Sequence, residues 1–540
     1  MNKSNGLYRI VLSVWFVLIL LSIPTFYHTV LKAHQSGIFI DMLVSASILF
    51  IMYFWLNGTK DLIYTLYFYL KCRKNYRIPI RNLWPKMHGY SQPKIVMVYC
   101  TYNDFNADSL IASMDQGYSN VQTVILDDST DPDYIAQIDA FAHLYKVQVV
   151  RREDHAGFKA GNLNNYLRTA EYDFFVILDS DEITPHNYIT RSLDYFATDA
   201  TIGIVQANHV ASRNRNGFMS LFARGVDSHW PTYQMSKHAY GFLSLLGHGA
   251  MVSRECYQSA KGFPHMVAED LCFSIEARNN NFYVAFAPDI ICQEEYPISY
   301  LAFKKRHSKW TQGNMEFIKN YTKRIISARM TWFEKLDIVL FTYNLPLHAF
   351  FSLFVVINVI LLPAVHYHIV YPPWMLIPTA IFLVSPMLND ILFYYKKISI
   401  WKLGWYLGHT LLLYGSMFFV SLKSSLKSIF GGSTFIVTPK INSRVSIFHA
   451  VRANRNELIF AFLLMSVSLI MDHSPLPVIM IVIPSVMSVY LSILANPGSQ
   501  KNFQIPGKSN RKTQELQVKP RTAAYTDIPV GSTDMLRATR

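Results

Sequence analysis

The sequence predicts an α/β domain on the cytosolic side of a membrane, inserted in an α-helical transmembrane bundle of about six spans plus interfacial helices. Three observations predict it. Half of the 540 residues are hydrophobic, and aromatics alone reach 14%. A polar middle stretch, roughly 85–330, separates apolar runs long enough to cross a bilayer. Within that stretch, four short apolar runs each end in polar, mostly acidic residues.

The bulk composition excludes several classes. A mean hydropathy above zero is too apolar for a soluble enzyme with an even surface. The formal net charge of +14 would suit nucleic acid, but the cations gather beside apolar stretches: Lys71, Arg73, Lys74 and Arg77, then Lys396 and Lys397, then Lys501, Lys508 and Arg511. Cytoplasmic flanks of membrane spans have this pattern, so a lipid bilayer is expected and no nucleic acid. The five cysteines show no CxxC pairing and suit a reducing compartment. Residues 10–27 lack a small-residue cleavage site and read as a retained anchor.

The spans follow in order. Residues 1–60 hold two, at 10–30 and 38–57. Segment 331–400 holds a pair at 345–366 and 374–395, and 451–497 holds a last pair at 458–472 and 476–495. Lys3 and Arg9 before the first span, and the basic cluster after the second, put both flanks and the middle domain in the cytoplasm. Residues 366–373 carry no Lys or Arg and suit the outside, while Lys396, Lys397, Lys423 and Lys427 return the chain inward. Segment 401–427 then has both ends inside and reads as an interfacial amphipathic helix, with an extra span as the alternative. Both termini are expected in the cytoplasm of a multi-pass plasma-membrane protein, with 498–540 a disordered basic tail.

In the middle domain, Ile95–Cys100 leads into Thr101, Tyr102, Asn103 and Asp104, and Val121–Leu126 into Asp127 and Asp128. Val147–Val150 leads into Arg151, Arg152, Glu153 and Asp154, and Phe174–Leu178 into Asp179, Ser180 and Asp181. Helical stretches such as 107–117 and 158–169 lie between, which predicts a parallel sheet with ligands beyond its carboxyl edge.

Several residues there carry chemistry, each with a plainer alternative. Asp179 and Asp181, one residue apart at a strand end, can hold Mg²⁺ or Mn²⁺ and through it a diphosphate; acidic turns have the same spelling. Asp127-Asp128 reads as a ligand pair or as a turn. Lys159, in Lys-Ala-Gly-Asn, reads as a phosphate contact or a solvated helix lysine. Glu269-Asp270 precedes a helix after a Gly-rich stretch; Asp270 suits a general base, and a helix N-cap explains the pair equally. Arg306-His307-Ser308-Lys309-Trp310 offers cations and an indole for a sugar ring, or an interfacial tryptophan anchor.

Taken together, residues 94–445 resemble processive family 2 glycosyltransferases, most closely bacterial cellulose synthase catalytic subunits and related Gram-positive β-glucan synthases. The D, DxD, ED and QxxRW series of that family maps onto Asp127 or Asp128, Asp179-Ser180-Asp181, Glu269-Asp270 and the Trp310 segment. The KAGN element stands intact at Lys159–Asn162, and Thr101–Asp104 looks like the first nucleotide-contacting stretch. Phe435-Ile436-Val437-Thr438-Pro439-Lys440 looks like the FxVTxK gating loop, which places Thr438 and Lys440 on the diphosphate and assigns 401–450 to an interfacial helix and gating loop.

The resemblance implies a GT-A type cytosolic glycosyltransferase domain that polymerises a UDP-sugar, UDP-glucose above all, into an extracellular β-glucan and translocates it. It implies nucleotide-sugar contacts at Thr101, Tyr102, Asp104, Asp127, Asp128, Lys159, Asp179, Lys309, Thr438 and Lys440. It also implies Asp270, Glu269 and Asp179 as catalytic and Trp310, Arg306 and His248 at the acceptor.

Three departures qualify the resemblance. QxxRW reads Arg306-x-x-Lys309-Trp310, the acceptor loop reads Gly247-His248-Gly249-Ala250, and the chain after the last span is too short for a PilZ domain. They point to a β-1,3 or branched 1,3/1,2 capsular polymer beside a cellulose-like β-1,4 one. Three alternatives stand: a non-processive transferase acting on a lipid, a hyaluronan- or chitin-type synthase, and a transporter or scaffold with a degenerate transferase domain.

Overall fold

The computed structural model describes residues 3–89, 92–212, 216–343, 347–430 and 444–496, without the side chains of 347–350. The gating-loop segment 435–440 and the tail 498–540 lie outside the described residues.

The polar middle folds as a seven-stranded sheet: β1 (Ile95–Thr101), β2 (Val121–Asp127), β3 (Gln148–Val150), β4 (Phe174–Asp179), β5 (Ile202–Ala211), β6 (Ala250–Ser253) and β7 (Tyr283–Glu294). The strand order is β3-β2-β1-β4-β6-β5-β7. Strands β1 to β4 pair in parallel, as their apolar-run-then-acid pattern predicts. The fully parallel sheet expected from that pattern is corrected by β6, which runs antiparallel to both β4 and β5. Strand β6 follows the long helix Gly217–Tyr240 and enters from a turn at Gly247 and Gly249, both at positive φ, that sends the chain back antiparallel to its neighbours. Strand β5 escaped the sequence pattern because buried Gln206, Asn208 and His209 interrupt its apolar run.

Two layers of side chains sandwich the sheet. Ile95, Met97, Tyr99, Ile125 and Val176 face one side, packing on Leu110, Ile138, Phe141 and Leu193 from the helices. The alternate residues Val96, Val98, Val124, Phe175 and Ile177 face the other, against Leu163, Phe263 and Phe273. The helices Ala107–Met114 and Phe158–Leu167 fall within the expected stretches.

Among the described residues, four helices are long and apolar enough to cross a membrane: Gly6–Gln35, Ile38–Cys72, Pro373–Tyr394 and Leu476–Ile493. A fifth arises if Ile447–Ala453 and Arg455–Asp472, bent 68° apart, count as one. The expected span at 345–366 corresponds to the contiguous helical stretch Leu347–Val356, Ile357–Leu361 and Leu362–Ala364, of which Phe351–Ala364 is a shorter apolar helix among the described residues. Segment 401–427, expected as one helix, breaks at Ser416–Met417 into Ile400–Gly415 and Phe418–Phe430. The second half lies along the helix Tyr300–Ser327, with His307 to Ser421 and Ser308 to Ser424 hydrogen bonds, both 2.7 Å.

The second and third apolar helices run parallel and very close. Trp55 donates to Thr379, and Tyr69 farther along donates to the Asn389 carbonyl. Between these contacts, a Cβ on Gly58 would meet the Phe382 Cα at 2.3 Å. Lys60 and Asp61 follow within a turn as a buried pair 3.2 Å apart.

One carboxylate joins the first two apolar helices to the α/β domain. Asp337, fully buried on the helix Trp332–Thr342, accepts from Tyr8, from Tyr64 at 2.6 Å and from the Phe242 backbone N–H at 2.7 Å. Lys237 lies 3.9 Å away. Asp337→Ala therefore strands three donors and a cation, a loss on the order of 3 kcal/mol. The expected outcome is a thermal unfolding midpoint several degrees lower in detergent, with UDP affinity unchanged; an unaltered midpoint contradicts this role.

Candidate functional site

The carboxyl ends of β1, β2 and β4 meet at one edge, and their acids form the centre of the site. Thr101, ending β1, donates to Asp104 at 3.0 Å, as does the Tyr102 N–H, and Ser180 donates to the other Asp104 oxygen at 2.6 Å. The turn from β1 is thus pinned to the loop that carries Asp179 and Asp181.

Parallel register explains the next layer. Leu126 pairs with Val150, which brings Asp127 beside Arg151 and Asp128 beside Arg152. Asp128 holds Arg152 in a two-pronged pair, 2.8 and 2.6 Å, and lines the cavity described below. Asp127 turns the other way, to Arg151 at 2.7 Å and the Ser129 N–H at 2.8 Å, and does not line that cavity.

Lys159, in the first turn of the helix Phe158–Leu167, reaches from Asp179 to the Gly247 carbonyl, the latter at 2.8 Å. Burial opposes its charge, but Asp179 and Glu269 outweigh that and hold its pKa above the ordinary lysine range. Gly247 also faces Asp270, whose Oδ2 would lie 3.4 Å from a Cβ at 247.

The Glu269-Asp270 pair opens the helix Glu269–Asn279, but Ala268 is the N-cap residue. Asp270 accepts from the Leu271 N–H at 2.7 Å. Burial, with the neighbouring charge, raises the Glu269 pKa, and burial raises that of Asp270 despite Lys159. Lys309 is pulled down by burial against the attraction of Glu269 and Asp179. Beside it, the Arg306 guanidinium stacks 4.4 Å from the Trp310 ring, which stays half-exposed at the cavity wall.

One continuous cavity of about 2400 Å³ joins these groups to the apolar helices. Its polar end carries Thr101, Tyr102, Asp104, Asp128, Lys159, Asp179, Asp181, His248, Glu269, Asp270, Arg306, Lys309 and Trp310. It then passes Trp230, Tyr233 and Asp390 and ends among Phe354, Thr379, Phe382, Phe418 and Pro484. Among the predicted residues that are described, Asp127 alone lies outside it. Thr438 and Lys440 fall outside the described residues.

The sequence reading missed a second polar group at the back of the site. Buried Glu182, directly after the acidic triplet, pairs with His248 and, at 3.2 Å, with His209 from β5. The other His248 nitrogen lies 3.4 Å from Glu294 at the end of β7. Burial opposes ionisation in both partners, yet the pairing lowers Glu182 to about 2 and raises His248 to about 10. The available signal was the acid adjoining Asp181; nothing in the spacing pointed to His209.

Two sets of residues have the donors for a divalent cation. Asp179 and Asp181 offer hard carboxylate oxygens at the cavity wall, and Asp181 is fixed by the Glu295 N–H at 3.0 Å. Glu182, His209 and His248 bring one ligand atom each within 4.8 Å of one another. The cavity-facing aspartates fit an ion that must also meet a diphosphate, whereas the Glu182 set is turned onto itself by its own hydrogen bonds.

Residues 174–388 match the family described as glycosyl transferase family group 2. The chain carries a glycosyltransferase family 2 domain. It is 25% identical over 247 residues to a β-monoglucosyldiacylglycerol synthase of Synechocystis, covering 44% of this chain and 51% of that protein. It is 24% identical over 283 residues to glucans biosynthesis glucosyltransferase H of Bradyrhizobium diazoefficiens, covering 47% and 37%. The chain thus spans about half, or less, of these curated relatives. A mannosyltransferase from Pyrobaculum calidifontis, solved with GDP-Man and Mn²⁺, aligns with a TM-score of 0.47 at 16% identity, covering 71% of this chain and 99% of that one.

Gly249 holds the Glu182 group together. Its φ of +58° disfavours a side chain, and a Cβ there would come within 2.2 Å of His209 Nε2 and 2.7 Å of Glu182 Oε1. Gly249→Ala is expected to lower the unfolding midpoint by several degrees and to weaken nucleotide binding, read by thermal unfolding and by calorimetry with UDP. Parent-like values in both contradict the packing described.

Proposed function

We propose that this chain is a processive, inverting UDP-sugar hexosyltransferase that extends a β-glucan and delivers it across the membrane. UDP-glucose is the donor assigned by the family resemblance, with a β-1,3, branched 1,3/1,2 or cellulose-like β-1,4 product. The observation that carries the reading is the continuous cavity, which leads from a cluster of acids and lysines at a sheet edge into apolar helices. The family 2 domain and the glucan-synthase relative support it.

The chemistry follows from where charge must go. The acceptor hydroxyl oxygen attacks the anomeric carbon from the face opposite the diphosphate. The carbon–oxygen bond to UDP breaks, and the hydroxyl proton passes to Asp270. A divalent cation held by Asp179 and Asp181 supplies charge neutralisation to the diphosphate when bound. Lys159 and Lys309, near Asp179, add fixed positive charge on the leaving side. Trp310, held flat by Arg306, offers a face for the acceptor sugar. His248 is fixed by Glu182 and Glu294 on the acceptor side. The charge pattern of the flanks supports a catalytic domain and both termini in the cytoplasm.

A second reading is favoured by the name of the Synechocystis relative and by the apolar end of the cavity: transfer of one sugar to a lipid. Incubating purified protein with labelled UDP-glucose separates the two. Ethanol-insoluble label supports polymerisation, and chloroform-soluble label overturns it in favour of the lipid acceptor. Other UDP-sugars, offered singly, test the hyaluronan- and chitin-type donors. Asp270→Asn is expected to abolish transfer, a loss of at least about 10³-fold, while UDP still binds; near-normal product contradicts the base assignment.

The base works deprotonated, and burial raises its pKa. Activity is therefore lost as pH falls, along an acid limb above the ordinary aspartate value of about 4. A kcat/KM profile against pH checks the direction; full activity held down into the ordinary aspartate range contradicts it.

A further inference from the structure

Two cationic stretches, more than 300 residues apart, meet on one surface. Arg73 and Arg77 follow the helix Ile38–Tyr67, and Lys396 and Lys397 follow Leu376–Tyr394. These helices run in the same direction, as the Trp55–Thr379 and Tyr69–Asn389 contacts establish, so both release their cations on the same side. That side carries the α/β domain: Tyr394 donates to the Arg224 carbonyl at 2.8 Å, on the helix Gly217–Tyr240 that follows β5.

Aromatic rings hold the cations in place. Arg73 lies 5.0 Å over Tyr69, Arg77 5.2 Å over Tyr76 and Lys397 3.2 Å over Phe393. Asp227 is the acid whose field reaches this group; burial raises it to about 6 even with Lys397, Arg77 and Arg224 nearby. Partial burial and the repulsion of Arg73 and Arg77 lower Lys397 to about 8. None of Arg73, Arg77 and Lys397 has an ion pair within 4.0 Å among the described residues. The helix C-termini contribute about half a negative charge each and Asp227, ionised at neutral pH, about one more, still less than the three cations. An anion fits here.

The surroundings say which kind. Leu70, Ile78 and Tyr395 flank the cluster, 77%, 64% and 48% exposed. Large apolar side chains beside cations, at the ends of two helices long enough to cross a membrane, suit acyl chains below a charged headgroup. A soluble anion would leave that apolar surface in water.

We infer that Arg73, Arg77 and Lys397 form a binding site for the phosphate of an anionic phospholipid, at the bilayer surface on the side of the α/β domain. The site stands independently of the proposed sugar transfer. Its floor is the helix Gly217–Tyr240, which also sends His229, Trp230 and Tyr233 into the cavity. A bound headgroup therefore braces one wall of the cavity from outside.

The test uses the full chain, delipidated in neutral detergent and titrated with phosphatidylglycerol or phosphatidylcholine, with bound lipid counted by native mass spectrometry. The parent is expected to prefer phosphatidylglycerol by about tenfold. Arg73→Gln/Arg77→Gln/Lys397→Gln loses that preference, and Lys86→Gln/Lys146→Gln/Lys261→Gln, on the α/β domain and the segment before it, keeps it. Lys397→Gln alone, checked by its unfolding midpoint, weakens the preference at least about twofold. Full preference in either the triple or the single variant overturns the site. So does complete displacement of the lipid by about 10 mM inorganic phosphate, which would mark a soluble anion.

Discussion

The Lys159 ammonium ties together three parts of the chain at the centre of the site. It is donated from the start of a helix, accepted by Asp179 at the end of β4, and accepted again by the Gly247 carbonyl in the turn before β6. A buried cation with two such acceptors is expensive to move, because withdrawing it leaves a carboxylate and a carbonyl unsatisfied in a partly dry site. The positions of Asp270, which faces Gly247, and of Lys309, which feels both Asp179 and Glu269, are set relative to this link. It fixes where negative charge can be received and where it must be kept out.

Around that link the protein repeats one device, a buried acid serving several donors. Asp337 anchors the first two apolar helices to the domain, Asp194 accepts from the N–H groups of Asn82, Leu83 and Trp84, and Glu182 holds two imidazoles. Each replaces a loose loop or helix end by a point with a defined direction. The sheet edge, the cavity wall and the apolar helices are thereby held in one arrangement, which in-line chemistry at a sugar carbon requires.

Much of this was legible in the sequence because strand and acid stand together. An apolar run ending in Asp or Thr announces a parallel strand with its ligand edge, and β1, β2 and β4 all followed that signal. The choice between Asp127 and Asp128 was not legible: it depends on the register with β3, which gives each aspartate its own arginine on opposite sides. Nor was β5, whose buried Gln206, Asn208 and His209 look like loop residues until their partners from β6, β7 and Glu182 are present. The apolar helices were visible by length, but a bend at Asn454 and a break at Ser416 depend on packing that no local window contains.

The close crossing at Gly58 bears on more than packing. Any side chain there would push the Phe382 backbone away and pry apart two helices over the turn that contains Lys60 and Asp61. Lys60 and Asp61 line the cavity, so prying the helices apart would open the cavity wall beside this ion pair. The smallest residue in the helix thus sets how tightly two helices close one side of the cavity.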